Sequence, residues 1–469
     1  MILTLYVLLG LVIVASEVFR ITRYRSVDAL MLFNIAYFLF FVFVPLNVII
    51  LGEAAVRQKY VYQQFGYGDT STAMALLACY LLFVTGYWIK KYASGESATR
   101  NHPSLGTDKG EACSAYLYKT ATRLSIAFLL IGLAGLSYHT ALMGGLIDVI
   151  KYAPSVRTGE YRLEGKWLFL RQFSAFASTA FILFWAVYDT KKKPSLGDTG
   201  LMLLTTVVFV FFALSTDGRR EFWYPVMLCF LVSFVARNGF KFRQLGFLVF
   251  AFVLWWGFGS FKTLEAIAPV QSNNPGVSIA GTYFNNVYLS TVQGTADSFM
   301  HFVGMQHAKL WQFGFLSDIR EIPLQFVPSY LFGFDRGRGG LGSTSEFFLG
   351  HPLAQGFSGE EPPGLHGYLL VNFGYFGMFL LFFLLGLAYK QLDNILRPVR
   401  RNDAVAWLIY WWIFFMFLEF FREGALILVL KPRASWWLAI GLLIYAKRHF
   451  EKNRQKFQFE PGSYRAPRR

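Results

Sequence analysis

Residues 367–388 read GYLLVNFGYFGMFLLFFLLGLA, a run of 22 residues without a charged side chain. An α-helix needs about 20 apolar residues to cross the hydrocarbon core of a bilayer. Runs of the same kind occur at 29–52 and 245–261. Only 15% of all residues are charged, against about 25% in soluble domains. The sequence therefore predicts an all-α, polytopic membrane protein.

The apolar runs divide the chain into about eleven predicted membrane spans. Their positions are 2–19, 29–52, 71–90, 123–144, 166–188, 201–215, 222–236, 245–261, 367–388, 404–421 and 433–446. The connection between the eighth and ninth spans is too long for a simple link, and its mixed composition predicts a folded cap. The chain thus divides into the first eight spans at 1–261, this large loop at 262–366, the last three spans at 367–446 and a basic tail at 447–469.

Basic residues follow every second predicted span, which indicates orientation, because cytoplasmic loops are enriched in Lys and Arg. No basic segment precedes the first apolar run, so an uncleaved first helix is predicted. The residues on the predicted cytoplasmic side are Arg20, Arg23, Arg25, Lys90, Lys91, Lys191, Lys192, Lys193, Arg237, Lys241, Arg243, Lys390, Arg397, Arg400, Arg401 and the tail from Lys447. The N-terminus is then outside and the C-terminus cytoplasmic. This bias and attraction to membrane lipid explain the net charge of +16, so no nucleic-acid partner is expected.

The hairpin between the sixth and seventh predicted spans carries two adjacent arginines, Arg219 and Arg220. Its flanking apolar runs are short, so we expect its tip within the outer membrane interface. Charges at that depth are costly unless they face protein, water or an anionic ligand. A guanidinium can hold a phosphate through two parallel hydrogen bonds. The alternative is that both arginines extend to the interface, with Asp217 and Glu221 as partners.

Further arginines lie on the predicted outer side, against the usual charge bias. Arg336 and Arg338 belong to a glycine-rich segment at 334–346, where the backbone can approach a ligand closely. The alternative is a flexible loop with solvated arginines. Arg157 follows the fourth predicted span, and Arg171 lies just inside the fifth. One substrate that bears a pyrophosphate would account for the whole set.

Candidate general bases lie at and before the start of the ninth predicted span. His366 leads directly into the membrane and Glu346 precedes it, with His351 and Glu360 as alternatives. An imidazole or carboxylate there can take a proton from a sugar hydroxyl, although a histidine at a helix start often caps or packs the helix. The sequence has no HExxH, GxSxG, dinucleotide fingerprint or His/Cys cluster. It therefore predicts no bound cofactor and no tightly held catalytic zinc site, with a divalent cation that assists the pyrophosphate as the open alternative.

The architecture and two local motifs resemble the Wzy-type O-antigen or oligosaccharide repeat unit polymerases. The motifs are GGLGS at 339–343 and GYLLVNFGYFG at 367–377, which follow an enlarged late outer loop. The resemblance implies a metal-independent glycosyl transfer at the outer face of the bacterial cytoplasmic membrane. A growing glycan would move from undecaprenyl pyrophosphate to a hydroxyl of the next lipid-linked unit.

The resemblance also implies roles for particular residues. The arginine pairs of the hairpin and of the glycine-rich segment would bind the pyrophosphate and stabilise the leaving group. Related proteins often have a carboxylate just ahead of the Asn-Phe-Gly segment, where this chain has Gly367 and Tyr368. His366 is then the candidate substitute for that carboxylate.

Three other functions fit parts of this pattern. A ligase that moves glycan to lipid A or to protein would share the architecture and the arginines. A flippase for lipid-linked saccharide would also need them, but transporters usually place charged sites near the membrane midplane. A structural scaffold predicts that the outer arginines are dispensable. For the polymerase, the expected partners are the undecaprenyl-pyrophosphate-linked oligosaccharide, membrane lipid and a chain-length regulator protein.

Overall fold

The computed structural model describes residues 1–24, 28–52, 59–93, 107–158, 168–191, 193–216, 219–237, 245–254, 299–300, 302–307, 364–398, 403–424 and 433–452. Within these ranges every regular element is helical and there is no strand. The all-α prediction is therefore confirmed. Most of the large loop at 262–366 and most of the basic tail lie outside the described residues, so these two segments stay predictions.

The helices are numbered here in chain order. The first seven are α1 (Ile2–Tyr24), α2 (Ala29–Phe38), α3 (Val44–Leu51), α4 (Lys59–Phe65), α5 (Thr70–Ala93), α6 (Thr107–Met143) and α7 (Leu146–Thr158). The others are α8 (Phe176–Thr190), α9 (Leu196–Ser215), α10 (Arg219–Arg237), α11 (Leu245–Leu254), α12 (Gly364–Leu396), α13 (Ala404–Glu423) and α14 (Ala434–Lys452). A π-helical turn at Leu39–Phe43 joins α2 to α3, and a 3-10 segment at Leu168–Ala175 leads into α8.

Eight helices of the described chain are long and apolar enough to cross a membrane. They are α1, α2 with α3, α5, α6, the 3-10 segment with α8, α9, α12 and α13. Shorter apolar helices lie in α10 and α11, and α14 ends in charged residues. The membrane-protein prediction is confirmed at this level. The count of about eleven spans and the position of the large loop stay predictions.

A buried cluster of ionic and hydrogen-bonding groups joins the ends of α1, α2, α12 and α13. Asp393 accepts hydrogen bonds from the Tyr410 hydroxyl at 2.6 Å and from Arg397 Nη2 at 2.9 Å. Arg397 and Arg20 each lie 3.5 Å from the carboxylate of Asp28. Two basic residues that are far apart in sequence therefore meet at one carboxylate. Burial of these charges is tolerated because each has an opposite charge within reach.

One glycine divides α12 into two helical parts. Gly374 has φ +66° and ψ −175°, which is not a helical conformation. Residues other than glycine rarely adopt a positive φ, because their Cβ meets the backbone. The GYLLVNFGYFG segment that supports the family resemblance thus coincides with a break in the helix.

Candidate functional site

A cavity of about 250 Å³ lies among α6, α7, the 3-10 segment and the end of α9. We call it the Arg171 cavity, and its lining residues are His139, Ala153, Val156, Arg171, Ser174, Ser215 and Thr216. It is smaller than the roughly 300–1,000 Å³ that is typical of small-molecule pockets. Its size therefore suits a phosphate-sized group and not a whole oligosaccharide.

Two glycines of α6 allow the 3-10 segment and the start of α8 to pack directly on α6. A Cβ on Gly135 would lie 2.4 Å from the backbone nitrogen of Ser174, and one on Gly132 would lie 2.6 Å from that of Ala177. Real Cβ atoms do not approach backbone so closely. The Ser174 hydroxyl donates to the carbonyl of Arg171 at 2.7 Å. These contacts hold Arg171 at the junction between α6 and α8.

The electrostatics of the cavity are set by Arg171. Its side chain is partly buried, and the described residues of the lining include no acidic side chain. Elsewhere in the described chain, buried or partly buried arginines such as Arg397 and Arg433 pair with carboxylates. A guanidinium at membrane depth without a counter-charge is costly unless it faces water or an anion. The Arg171 cavity is therefore suited to a negatively charged ligand.

The hydroxyl groups of the cavity already donate their protons to backbone carbonyls. Ser215 Oγ donates to Phe212 O at 2.8 Å, and Thr216 Oγ1 lies 3.2 Å from the same oxygen. Ser174 donates to Arg171, as described above. Each hydroxyl has only one proton to donate. Arg171 and His139 are therefore the lining side chains that keep donors for a ligand.

Two other predicted arginine sites are close in sequence to residues that line the cavity. Arg157 directly follows Val156 near the end of α7, and α10 begins at Arg219, three positions after Thr216. Three residues span at most about 11 Å, so the backbone at Arg219 lies near this lining residue. The side chains of Arg157, Arg219 and Arg220 lie outside what the structure describes.

The remaining predicted ligands and bases of the large loop lie outside the described residues. These are Arg336, Arg338, Glu346, His351 and Glu360. Their roles stay predictions. In the described part of the chain, no group of three or more His, Cys, Asp or Glu side chains could hold a metal ion.

His366 lies inside a cluster of aromatic rings. Its side chain is 1% exposed, and its Nε2 is 3.0 Å from the hydroxyl of Tyr37. The rings of Phe41 and Phe382 each lie 4.4 Å from the imidazole, measured between centroids. A general base must come within hydrogen-bond distance of the hydroxyl that it deprotonates. This arrangement has no room for a sugar at His366 and favours a packing role.

A buried triad that the sequence did not indicate joins α10, α13 and the start of α14. Arg433 Nε donates to Glu419 at 2.8 Å, and Arg433 Nη1 donates to Glu221. The guanidinium also lies 4.8 Å from the ring of Trp436, a cation–π contact. Glu221 and Arg433 are separated by 212 positions in the chain, so no local pattern predicts their pairing. We call these three charged residues the Arg433 triad.

A second polar cluster lies at the start of α5. Asp69 Oδ1 accepts hydrogen bonds from Ser71 Oγ at 2.7 Å and from the Thr72 backbone nitrogen at 2.9 Å. His307 Nε2 lies 3.9 Å from Asp69 Oδ2, and Thr72 Oγ1 donates to Gln306 at 2.8 Å. Burial alone would raise the pKa of Asp69, but these hydrogen bonds and His307 outweigh it and lower that pKa. The cluster attaches the segment 302–307, within the predicted large loop, to α5.

The chain was also compared with known proteins. The comparisons with protein families, with curated proteins and with solved structures give no match.

Proposed function

We propose that the chain is a membrane glycosyltransferase that polymerises lipid-linked oligosaccharide repeat units, and that the Arg171 cavity binds the pyrophosphate of its donor. The observation that carries the proposal is the guanidinium of Arg171, which lines a cavity whose described lining residues include no acidic side chain. Among common cellular anions, phosphates and carboxylates fit the planar donor geometry of arginine best. A pyrophosphate also brings more negative charge than a single carboxylate.

The proposed topology has about eleven spans, with α10, α11 and α14 crossing in addition to the eight long helices. The N-terminus is outside and the C-terminus is in the cytoplasm of a bacterium, and the large loop at 262–366 is an outer cap. In this topology α6 and α9 both end at the outer face. The Arg171 cavity then opens where a lipid-linked donor would hold its pyrophosphate.

The proposed reaction forms a glycosidic bond between the anomeric carbon of the donor glycan and a hydroxyl of the acceptor unit. The bond from that carbon to undecaprenyl pyrophosphate breaks, and the pyrophosphate leaves with the electron pair. Arg171, together with Arg219, Arg220, Arg336 and Arg338, would stabilise the charge on the leaving group. Glu346 would take the hydroxyl proton, since His366 is buried.

The position of Arg171 favours an enzyme over a transporter. Transporters usually bind their substrates near the membrane midplane, at broken helices. Arg171 lies instead at the end of a span, in the 3-10 segment before α8. A site at the membrane face is where a lipid-linked donor can meet a second glycan without crossing the bilayer.

The surface-glycan length profile of cells that lack this gene tests the proposal. Loss of long chains with single repeat units still attached is expected, and the wild-type gene should restore them. Arg171→Gln and Arg219→Ala should fail to restore long chains, whereas Lys192→Ala, on the predicted cytoplasmic side, should restore them. Loss of all surface glycan would instead indicate a ligase or a flippase. An unchanged profile would overturn the proposal.

A further inference from the structure

His139 is a buried histidine that lines the Arg171 cavity. Its side chain is 4% exposed, and its Nδ1 is buried without a hydrogen-bond partner among the described residues. A buried polar atom without a partner is destabilising, and such atoms are rare in folded proteins. No described lining residue has a polar atom within hydrogen-bond distance of this nitrogen. Because His139 lines a cavity beside Arg171, a ligand in that cavity explains this nitrogen better than packing does.

The surroundings of His139 determine which ligand suits it. The 3-10 segment brings Arg171, which interacts with the imidazole electrostatically, and Ser174, whose proton is already donated. The other lining residues are Ala153 and Val156 of α7 and Ser215 and Thr216 at the end of α9. None of these four side chains titrates near neutral pH. The described residues of the lining therefore offer one permanent positive charge, one imidazole that can become positive, and no acidic side chain. Once protonated, the imidazole of His139 is repelled by Arg171 unless an anion lies between them.

We infer that His139 is a second ligand of the same phosphate group that Arg171 binds, and that the imidazole takes up a proton when this anion enters. The inference rests on the proposed function, which assigns a pyrophosphate to the Arg171 cavity. In this arrangement Arg171 supplies a permanent charge, and His139 supplies a charge that depends on the ligand. Hydrogen bonds in which both partners are charged are among the strongest in proteins.

A binding measurement on the purified full-length protein tests this role. The protein is placed in phosphatidylcholine nanodiscs and titrated with inorganic pyrophosphate by calorimetry at pH 6 and pH 8. His139→Gln keeps a donor near the position of Nε2, and His139→Asn keeps one near Nδ1, but neither takes up a proton. We expect each to weaken pyrophosphate binding at pH 6 by roughly tenfold. His449→Gln and Arg448→Gln, two neighbouring exposed positions of α14, serve as controls and should bind like the wild type.

Proton uptake distinguishes a charged ligand from a packing residue. The titrations at pH 6 are repeated in two buffers with different heats of ionisation, which gives the number of protons taken up on binding. Protonation of pyrophosphate contributes equally to all variants, so the difference between wild type and His139→Gln reports the imidazole. We expect the wild type to take up more protons than either His139 variant. Equal affinities and equal proton uptake would overturn the inference.

Two further comparisons separate the possible failures. If Arg171→Gln loses binding and the folded His139 variants keep it, the inference fails and the pyrophosphate site stands. If the wild type does not bind pyrophosphate, the inference is overturned, whereas the proposed function is judged by the glycan profile.

Nanodiscs that contain phosphatidylglycerol test whether a phospholipid headgroup is the anion in the Arg171 cavity. Unchanged pyrophosphate affinity in them is expected, and a clear fall would assign the cavity to the lipid headgroup instead.

Discussion

Gly86 of α5 and Gly386 of α12 each lie against the backbone of the other helix. A Cβ on Gly86 would lie 2.2 Å from the carbonyl oxygen of Phe383, and one on Gly386 would lie 2.1 Å from that of Phe83. Small residues at such crossings allow helix backbones in membranes to approach closely, which increases van der Waals contact. The two glycines therefore fix α12, the helix that carries His366, against α5.

Gly386→Ala is expected to lower the free energy of unfolding by about 1–3 kcal/mol, because the added methyl group forces two backbones apart. Thermal unfolding in nanodiscs measures the effect. Gly441→Ala in α14 is the control, since a Cβ there meets nothing within 4 Å. That change should leave stability unchanged or raise it by about 0.5–1 kcal/mol through the better helix propensity of alanine. Equal effects of the two changes would contradict the close crossing.

Arg433→Met is expected to destabilise the protein by about 3–5 kcal/mol, because it leaves two buried carboxylates without their counter-charge. Glu221 and Glu419 would then repel each other at the junction of α10, α13 and α14. Chemical unfolding of the purified protein measures the loss. Adding Glu419→Leu to Arg433→Met should recover part of it, since one unpaired charge is removed. No recovery in the double variant would argue against the Arg433 triad.

Hydropathy located the eight long apolar helices of the described chain but not their ends. The predicted span at 123–144 belongs to α6, which begins at Thr107, because a helix continues through polar residues once it leaves the membrane. The predicted span at 29–52 is present but contains a π-helical turn at Leu39–Phe43. The predicted span at 166–188 begins instead as a 3-10 segment. The length of an apolar run indicates whether a segment can cross the membrane. The hydrogen-bond pattern of that segment, α, π or 3-10, depends on its packing against neighbouring helices.

The candidate site was predictable only in part. Arg171 was identifiable because a basic residue on the predicted outer side opposes the charge bias of membrane proteins. His139 gave no such signal, since one polar residue in a long apolar helix is compatible with simple packing. The Arg433 triad and the Asp69 cluster join residues that are far apart in sequence. Pairings of this kind depend on how the helices are arranged, which periodicity and composition do not specify.

The stability contribution of Asp69 is expected to disappear in acid. Hydrogen bonds and His307 lower the pKa of Asp69 below its ordinary value. A carboxyl group with a lowered pKa stabilises the fold above its unfolded pKa, about 3.9, and loses this contribution as pH falls through the folded value. The effect is small, because the side chain is 50% exposed and water screens it. Melting temperatures of wild type and Asp69→Asn should differ at pH 7 and converge below about pH 4, and a constant difference would contradict this origin.

Arg171→Gln is expected to separate stability from function. No described residue of the cavity offers Arg171 a carboxylate. Removing this partly buried guanidinium therefore relieves a desolvation cost, so the melting temperature should stay the same or rise. Long surface glycans should nevertheless be lost, because the proposed pyrophosphate site loses its charged ligand. Arg397→Gln is the matched control, since Arg397 pairs with Asp393 at 2.9 Å and its loss leaves that buried carboxylate with less counter-charge. Its melting temperature should fall. A fall of the same size in Arg171→Gln would give Arg171 a structural role and remove the main support for an anion site.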